Sequence, residues 1–176
     1  MKKLSFLMLA ALAIFMVSCG GEDPTPTPTP ENQKLNFEIK VNYQGTERTI
    51  QNGDNFVISE PATSDNPDQF GFHGKFIAKT QFKLIVDFKR QCTEGTKDEL
   101  CIGKCQQGQS PQYDDNYEII GYADIPQLTY EIRDTQLDAE FHCTPAKSGD
   151  NIITYTFYDN QDKENKLTFT INYKKP

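Results

Sequence analysis

Five cysteines and two histidines are the residues of this chain best fitted to chemistry. Four of the cysteines, Cys92, Cys101, Cys105 and Cys143, fall in the second half of the chain, where they can form disulfides or hold a metal. Structural zinc sites draw their ligands from paired Cys-x₂₋₄-Cys knuckles. Only the Cys101–Cys105 spacing fits such a knuckle, so two disulfides are expected and no metal. Three pairings can be drawn. Cys143 shares the alternation of Leu137, Ala139 and Phe141, and Cys92 continues that of Phe82, Leu84, Val86 and Phe88. Shared phase on inward faces favours Cys92–Cys143 with Cys101–Cys105. Cysteines paired in this way are not nucleophiles.

Neither histidine builds a catalytic group. His142 is out of phase with the apolar residues of its segment, and His73 lies in Phe70-Gly71-Phe72-His73-Gly74. The chain has no Gly-x-Ser-x-Gly elbow, Walker loop, His-Glu-x-x-His or EF-hand loop, so no catalytic residue is expected. Asp114 with Asp115, and Asp159 with Asp162 and Glu164, are the acidic groupings to weigh for calcium. Calcium needs six to eight oxygens in a defined loop, and neither grouping has that pattern, so both read as solvated turns and no cofactor is expected. Segment 106–117 mixes amides, carboxylates and two tyrosines. Gln109, Tyr113, Asp114, Asp115 and Tyr117 are therefore the candidate contact residues, suited to a protein or a glycan. The competing reading is a polar crossover between sheets. The absence of Trp disfavours a flat sugar-stacking platform.

The first residues bear on location. Met1-Lys2-Lys3 is basic, and Leu4 to Val17 carries no ionisable group. As a helix that run spans about 21 Å, short of the ~30 Å hydrocarbon core, so it reads as the apolar part of a signal peptide. It closes on Met16-Val17-Ser18-Cys19-Gly20, which resembles a bacterial lipobox, with Met16 where Leu is usual. The resemblance implies a signal peptide over 1–18, cleavage before Cys19 and acylation of its thiol. Palmitate-class chains would then tether the protein to a membrane, since more than one chain anchors stably. Residues 19–34 form a Pro/Thr-rich linker, and the alternating prolines of 24–30 favour an extended rod. Glu22-Asp23 beside the Cys resembles the surface-export signal of Bacteroidetes lipoproteins. That likeness implies the outer face of the outer membrane, with a periplasm-facing orientation as the alternative. The net charge of −7 disfavours nucleic acid as a partner.

The remaining residues, 35–176, read as one all-β domain. Leu35 to Tyr43 alternates apolar and polar, one face buried and one wet. The same period recurs at Phe82–Phe88, Leu137–Cys143, Ile153–Phe157 and Leu167–Tyr173, and more weakly at Phe56–Ser59, Phe70–Ala78, Tyr117–Tyr122 and Leu128–Ile132. No stretch carries the 3.6-residue stripe of a helix. About seven to nine antiparallel strands separated by Asn-, Asp- and Gly-rich turns argue for a β-sandwich, with a closed barrel as the alternative.

Residues 137–173 resemble the terminal strands of bacterial immunoglobulin-like domains. Phe141-His142-Cys143-Thr144-Pro145 and Thr154-Tyr155-Thr156-Phe157-Tyr158-Asp159 are also similar to the C-terminal half of TraQ-type accessory proteins of conjugative transposons. Together these readings point to a non-enzymatic, lipid-anchored binding or assembly module of the cell envelope. The alternatives are a structural accessory subunit of a conjugation or secretion apparatus and, more remotely, a glycan-binding protein or small hydrolase.

Overall fold

The computed structural model describes residues 34–63 and 65–176. The signal peptide expected over 1–18, the acylated Cys19 and nearly all of the linker over 19–34 lie outside the described residues. The described elements are all strands: β1 (Phe37–Tyr43), β2 (Thr46–Thr49), β3 (Asn55–Ile58), β4 (Pro61–Thr63), β5 (Asn66–Ala78), β6 (Phe82–Gln91) and β7 (Lys97–Ile102). They continue with β8 (Lys104–Gln107), β9 (Gln109–Tyr113), β10 (Ile119–Asp124), β11 (Gln127–Ile132), β12 (Gln136–Thr144), β13 (Gly149–Asp159) and β14 (Asp162–Lys175). The domain is an all-β sandwich, as the alternation predicts. Among the described residues it has fourteen strands where seven to nine were expected: β2, β4, β8 and β9 are short and largely polar, and β7, with Leu100 and Ile102 buried, lies where no strand was expected.

The larger sheet runs β2-β1-β5-β12-β7-β8, with β4 added to β5, and the smaller runs β11-β6-β13-β14-β3. All pairings are antiparallel except β14 with β3, where Ile171 lies opposite Phe56 in parallel register. Strands β9 and β10 form a separate hairpin outside both sheets. No described helix is long and apolar enough to cross a membrane.

The alternation explains the packing. Phe37, Ile39 and Val41 of β1, Phe72 and Phe76 of β5, and Ala139, Phe141 and Cys143 of β12 face inward from one sheet. Ile153, Tyr155 and Phe157 of β13 and Leu167, Phe169, Ile171 and Tyr173 of β14 face them from the other. Phe141 joins the two layers: its ring lies 5.3 Å from Tyr155, 5.6 Å from Phe169 and 6.2 Å from Phe157. Edge-to-face contacts of this kind add to the area buried. The outward positions of β13 and β14 carry a threonine ladder, Thr154 with Thr170 and Thr156 with Thr168.

Candidate functional site

The segment between β6 and β11 leaves the sandwich pattern. An inward-pointing Arg stands at its start. Arg90 follows Leu84, Val86 and Phe88 in phase on β6, so its guanidinium points inward, and Asp98 likewise precedes Leu100 and Ile102 on β7. The two meet as a bidentate pair. Arg90 Nε donates to Asp98 Oδ1 and Nη2 to Oδ2, each at 2.8 Å. Their side chains are only 6% and 1% exposed. Burial works against the Arg90 charge, but the hydrogen bonds and charge of Asp98 outweigh it and hold the guanidinium above its ordinary pKa. Two buried charges are tolerable only when their hydrogen-bonding capacity is met.

That capacity is met by the foot of the hairpin. Gln109 Nε2 donates to Asp98 Oδ1, and Gln109 Oε1 accepts from the Asp98 N–H at 2.9 Å. Gly108 N–H donates to the Asp98 carbonyl, Ile125 N–H donates to the Gly108 carbonyl, and Arg90 Nη1 donates to the Ile125 carbonyl. Both ends of the hairpin are thus tied to one ion pair. Only glycine fits at 108, where a Cβ would come within 2.1 Å of Asp98 Oδ2 and 2.3 Å of Arg90 Nη2. A second knot lies beside it. Asn151 is fully buried, and its Oδ1 accepts from Thr93 N–H and from the hydroxyls of Thr93 and Thr96, holding the turn before β7.

Above this foot the hairpin reverses the ordinary pattern of exposure. Among the described residues, the large hydrophobic side chains left exposed are Val57, Tyr113, Tyr117, Ile119, Ile120 and Tyr122. All but Val57 lie on the hairpin. Tyr117 is 87% exposed and Ile120 69%. Tyr113 is the cross-strand partner of Ile119, and Pro111 of Tyr122. Cross-strand partners share a face, so these four residues form one apolar surface, with Ile120 set out at the irregularity beside it. Lys97 Nζ sits 4.6 Å from the centre of the Tyr122 ring. The tip is held by Asp114, whose Oδ1 accepts from the N–H groups of Asn116 and Glu118 at 2.9 Å, and Tyr117 takes a left-handed φ of 62°. At the foot a cleft of about 490 Å³ is lined by Arg90, Cys92, Thr96, Gln112, Tyr122 and Asp124.

The structure divides the candidate contact residues. Tyr113, Asp115 and Tyr117 face solvent, Asp114 is turned into the tip, and Gln109 is buried at the foot, where it anchors rather than contacts. Ile119, Ile120 and Tyr122 belong to the same surface and were read in the sequence only as part of a weak strand. Their signal was an apolar run beside a polar loop with no facing partner strand. Arg90 and Asp98 were also missed, although each occupies an inward phase that a charge fills only with a partner.

The cysteines divide as well. Cys101 and Cys105 form a disulfide. They are cross-strand partners on β7 and β8, so the bridge closes only that turn and does not tether the hairpin. Cys92 and Cys143 are free thiols, where a bridge between them was expected. Cys92 follows β6, and its Sγ donates to the Ile152 carbonyl at 3.7 Å, while Cys143 is wholly buried on β12. Burial pushes the Cys92 thiol up to about 11 and Cys143 higher still. Both remain protonated at neutral pH, which makes them poor nucleophiles.

Two of the acids weighed for calcium, Asp159 and Asp162, accept hydrogen bonds within their own turn. Asp159 Oδ1 accepts from the Gln161 N–H and Oδ2 from Asn36 Nδ2, while Asp162 accepts from Asn165.

No protein-family model matches the chain, and no curated protein matches it. Solved structures of similar shape include the N-terminal domain of PorA, with a TM-score of 0.47 and 13% identity over 78% of this chain and 96% of that one. A conjugative transposon lipoprotein from Bacteroides eggerthii gives 0.36 and 8% over 78% and 96%. The CooA pilin subunit of enterotoxigenic Escherichia coli gives 0.35 and 5% over 79% and 99%. Likenesses this distant carry no argument about what the chain does.

Proposed function

We propose that this protein is a non-catalytic, lipid-anchored module of the cell envelope that docks a protein partner through the β9–β10 hairpin. One observation carries the reading: of the six large hydrophobic side chains exposed among the described residues, five lie on the one β9–β10 hairpin. Single exposed hydrophobics are ordinary, but a contiguous group rimmed by polar residues marks an interaction surface. Tyrosine with isoleucine, ringed by Asp115, Asn116 and Glu118, has the composition of an interface core with a polar rim. The lipobox-like Cys19 and the proline-rich linker support a lipid tether, and Glu22-Asp23 beside them supports a position on the outer membrane. The protonated thiols, Cys92 half-buried and Cys143 buried, support a binding role over a catalytic one.

The test is photo-crosslinking in intact cells of the native host. A crosslinking residue replaces Ile120 or Tyr117 in the full chain, with Lys166 on the threonine-ladder face as the control position. A discrete adduct from the hairpin positions but not from Lys166 supports the proposal. Equal labelling from all three overturns it. A subunit of transfer or secretion machinery in the adduct assigns the accessory role, and a host or matrix protein the adhesive one. Radiolabelled palmitate on Cys19 and protease shaving of whole cells test the anchor and its leaflet.

A further inference from the structure

The two histidines, distant in sequence, meet on the outer face of the larger sheet. On β5 and β12, His73 pairs with Glu140 and Gly71 pairs with His142. All four are outward positions. The rings of His73 and His142 pack edge to face with centres 5.1 Å apart. Gly71 makes room for them: a Cβ there would lie 2.7 Å from His73 Nε2 and 3.3 Å from His142 Cδ2. Across the other edge of β12, Glu99 of β7 is the register partner of His142.

We propose that His73, Glu140 and His142 form a binding site for a divalent transition-metal ion of the zinc class, with Glu99 positioning the His142 ring. One ligand atom from each of the three lies within 4.8 Å of the others. A tetrahedral zinc site brings donor atoms to about 3.4 Å of one another at bond lengths of ~2.0–2.1 Å. Small rotations of the exposed His73 and half-buried Glu140 side chains close that gap. Two imidazoles and a carboxylate suit zinc or copper rather than calcium or magnesium, which take oxygen alone.

His142 is already poised. Its side chain is 13% exposed, its Nε2 lies 3.7 Å from a Glu140 oxygen, and its Nδ1 lies 3.7 Å from Glu99. Nδ1 is buried without a hydrogen-bond partner. A histidine that ligates through one nitrogen ordinarily donates the other N–H to a carboxylate, and Glu99 stands where that carboxylate belongs. Drawing Nδ1–H and Glu99 together as the metal binds would satisfy the orphaned atom. His73 and Glu140 also line a shallow groove of about 340 Å³ open to water. Three protein ligands leave a fourth position, and that groove admits water or a small donor to it. A neighbouring set, Glu99, Cys101 and His142, also has the spacing of a site, but the Cys101 sulfur is committed to its disulfide.

The test is calorimetric titration of the full chain with Zn²⁺ alone, backed by the absorption spectrum of the Co²⁺-loaded protein. One ion per chain is expected, with cobalt bands of a nitrogen–oxygen site and no thiolate charge-transfer band. His73→Gln lies on the surface, so it keeps the fold and weakens binding at least tenfold. Glu140→Gln does the same. Glu99→Gln weakens binding by about 10- to 100-fold and alters the cobalt bands while the apo melting temperature holds. Unchanged affinity in His73→Gln overturns the proposal, and so does a thiolate band that disappears in Cys92→Ser. Failure of the full chain to bind zinc overturns it too.

Discussion

The sandwich body and the β9–β10 hairpin are built on opposite plans. In the body, apolar side chains meet between the sheets and polar ones face water, with Phe141 touching rings of the facing layer. At the hairpin the buried contacts are Arg90, Asp98 and Gln109, and the residues in water are Tyr113, Tyr117, Ile119 and Ile120. The body is held by area removed from water, which is tolerant of detail. The hairpin is held by a few directional bonds, which fix its position but not its hydrophobic face. That face is therefore free of any duty in folding, and a partner that covers it gains the burial the fold left unused.

Substitutions at Phe141 and Asp98 test this contrast most strongly. Phe141→Ala should lower stability by about 3–5 kcal/mol, as large cavities in aromatic cores do. A urea titration should show it as one cooperative loss across all strands. Asp98→Ala leaves Arg90 charged and buried, which costs about 3–5 kcal/mol. Here hydrogen exchange should speed most at the amides of Gln109–Tyr113 and Ile119–Asp124. Uniform acceleration over the whole domain would erase the distinction between the two regions.

Gly108→Ala presses a methyl group against the same ion pair and should cost about 1–3 kcal/mol, again with the hairpin loosening first. Ile120→Ser and Tyr117→Ser remove exposed groups and should change stability by no more than about 0.5 kcal/mol, yet abolish the crosslinked adduct. A large fall in melting temperature in either would mean that the apolar face serves the fold after all.

The smallest effect expected is a pH slope from His73. Burial, and then the neighbouring His142, lower its pKa below 6.5, with Glu140 partly opposing. The unfolded chain then binds more protons than the folded one just below pH 6.5, so stability rises with pH up to about that value and is flat above it. His73→Gln should remove that part of the slope, and a melting series from pH 5 to 8 reads it.

The body was legible because its strands are half-buried. Leu35–Tyr43, Leu137–Cys143 and Leu167–Tyr173 alternate without interruption and appear as β1, β12 and β14. Strands β2, β8 and β9 escaped because Thr46–Thr49, Lys104–Gln107 and Gln109–Tyr113 do not stand over the core, and with little apolar face they leave no period to read. The bridge across Cys92 and Cys143 was inferred from phase alone. Phase states which way a side chain points but not whether two sulfurs reach each other. Arg90 and Asp98 carried a readable signal, being charges in an inward phase. The His73–His142 pairing carried none, since it depends on the register between β5 and β12.

The parallel seam between β3 and β14 bears on how the domain assembles. Asn55 must find Thr170, so the smaller sheet cannot be finished by hairpins forming between neighbours. Long-range closure of this kind is slow, on the order of milliseconds to seconds. The β13–β14 ribbon therefore forms first, and the strand at its outer edge is added only when residues more than a hundred positions apart meet.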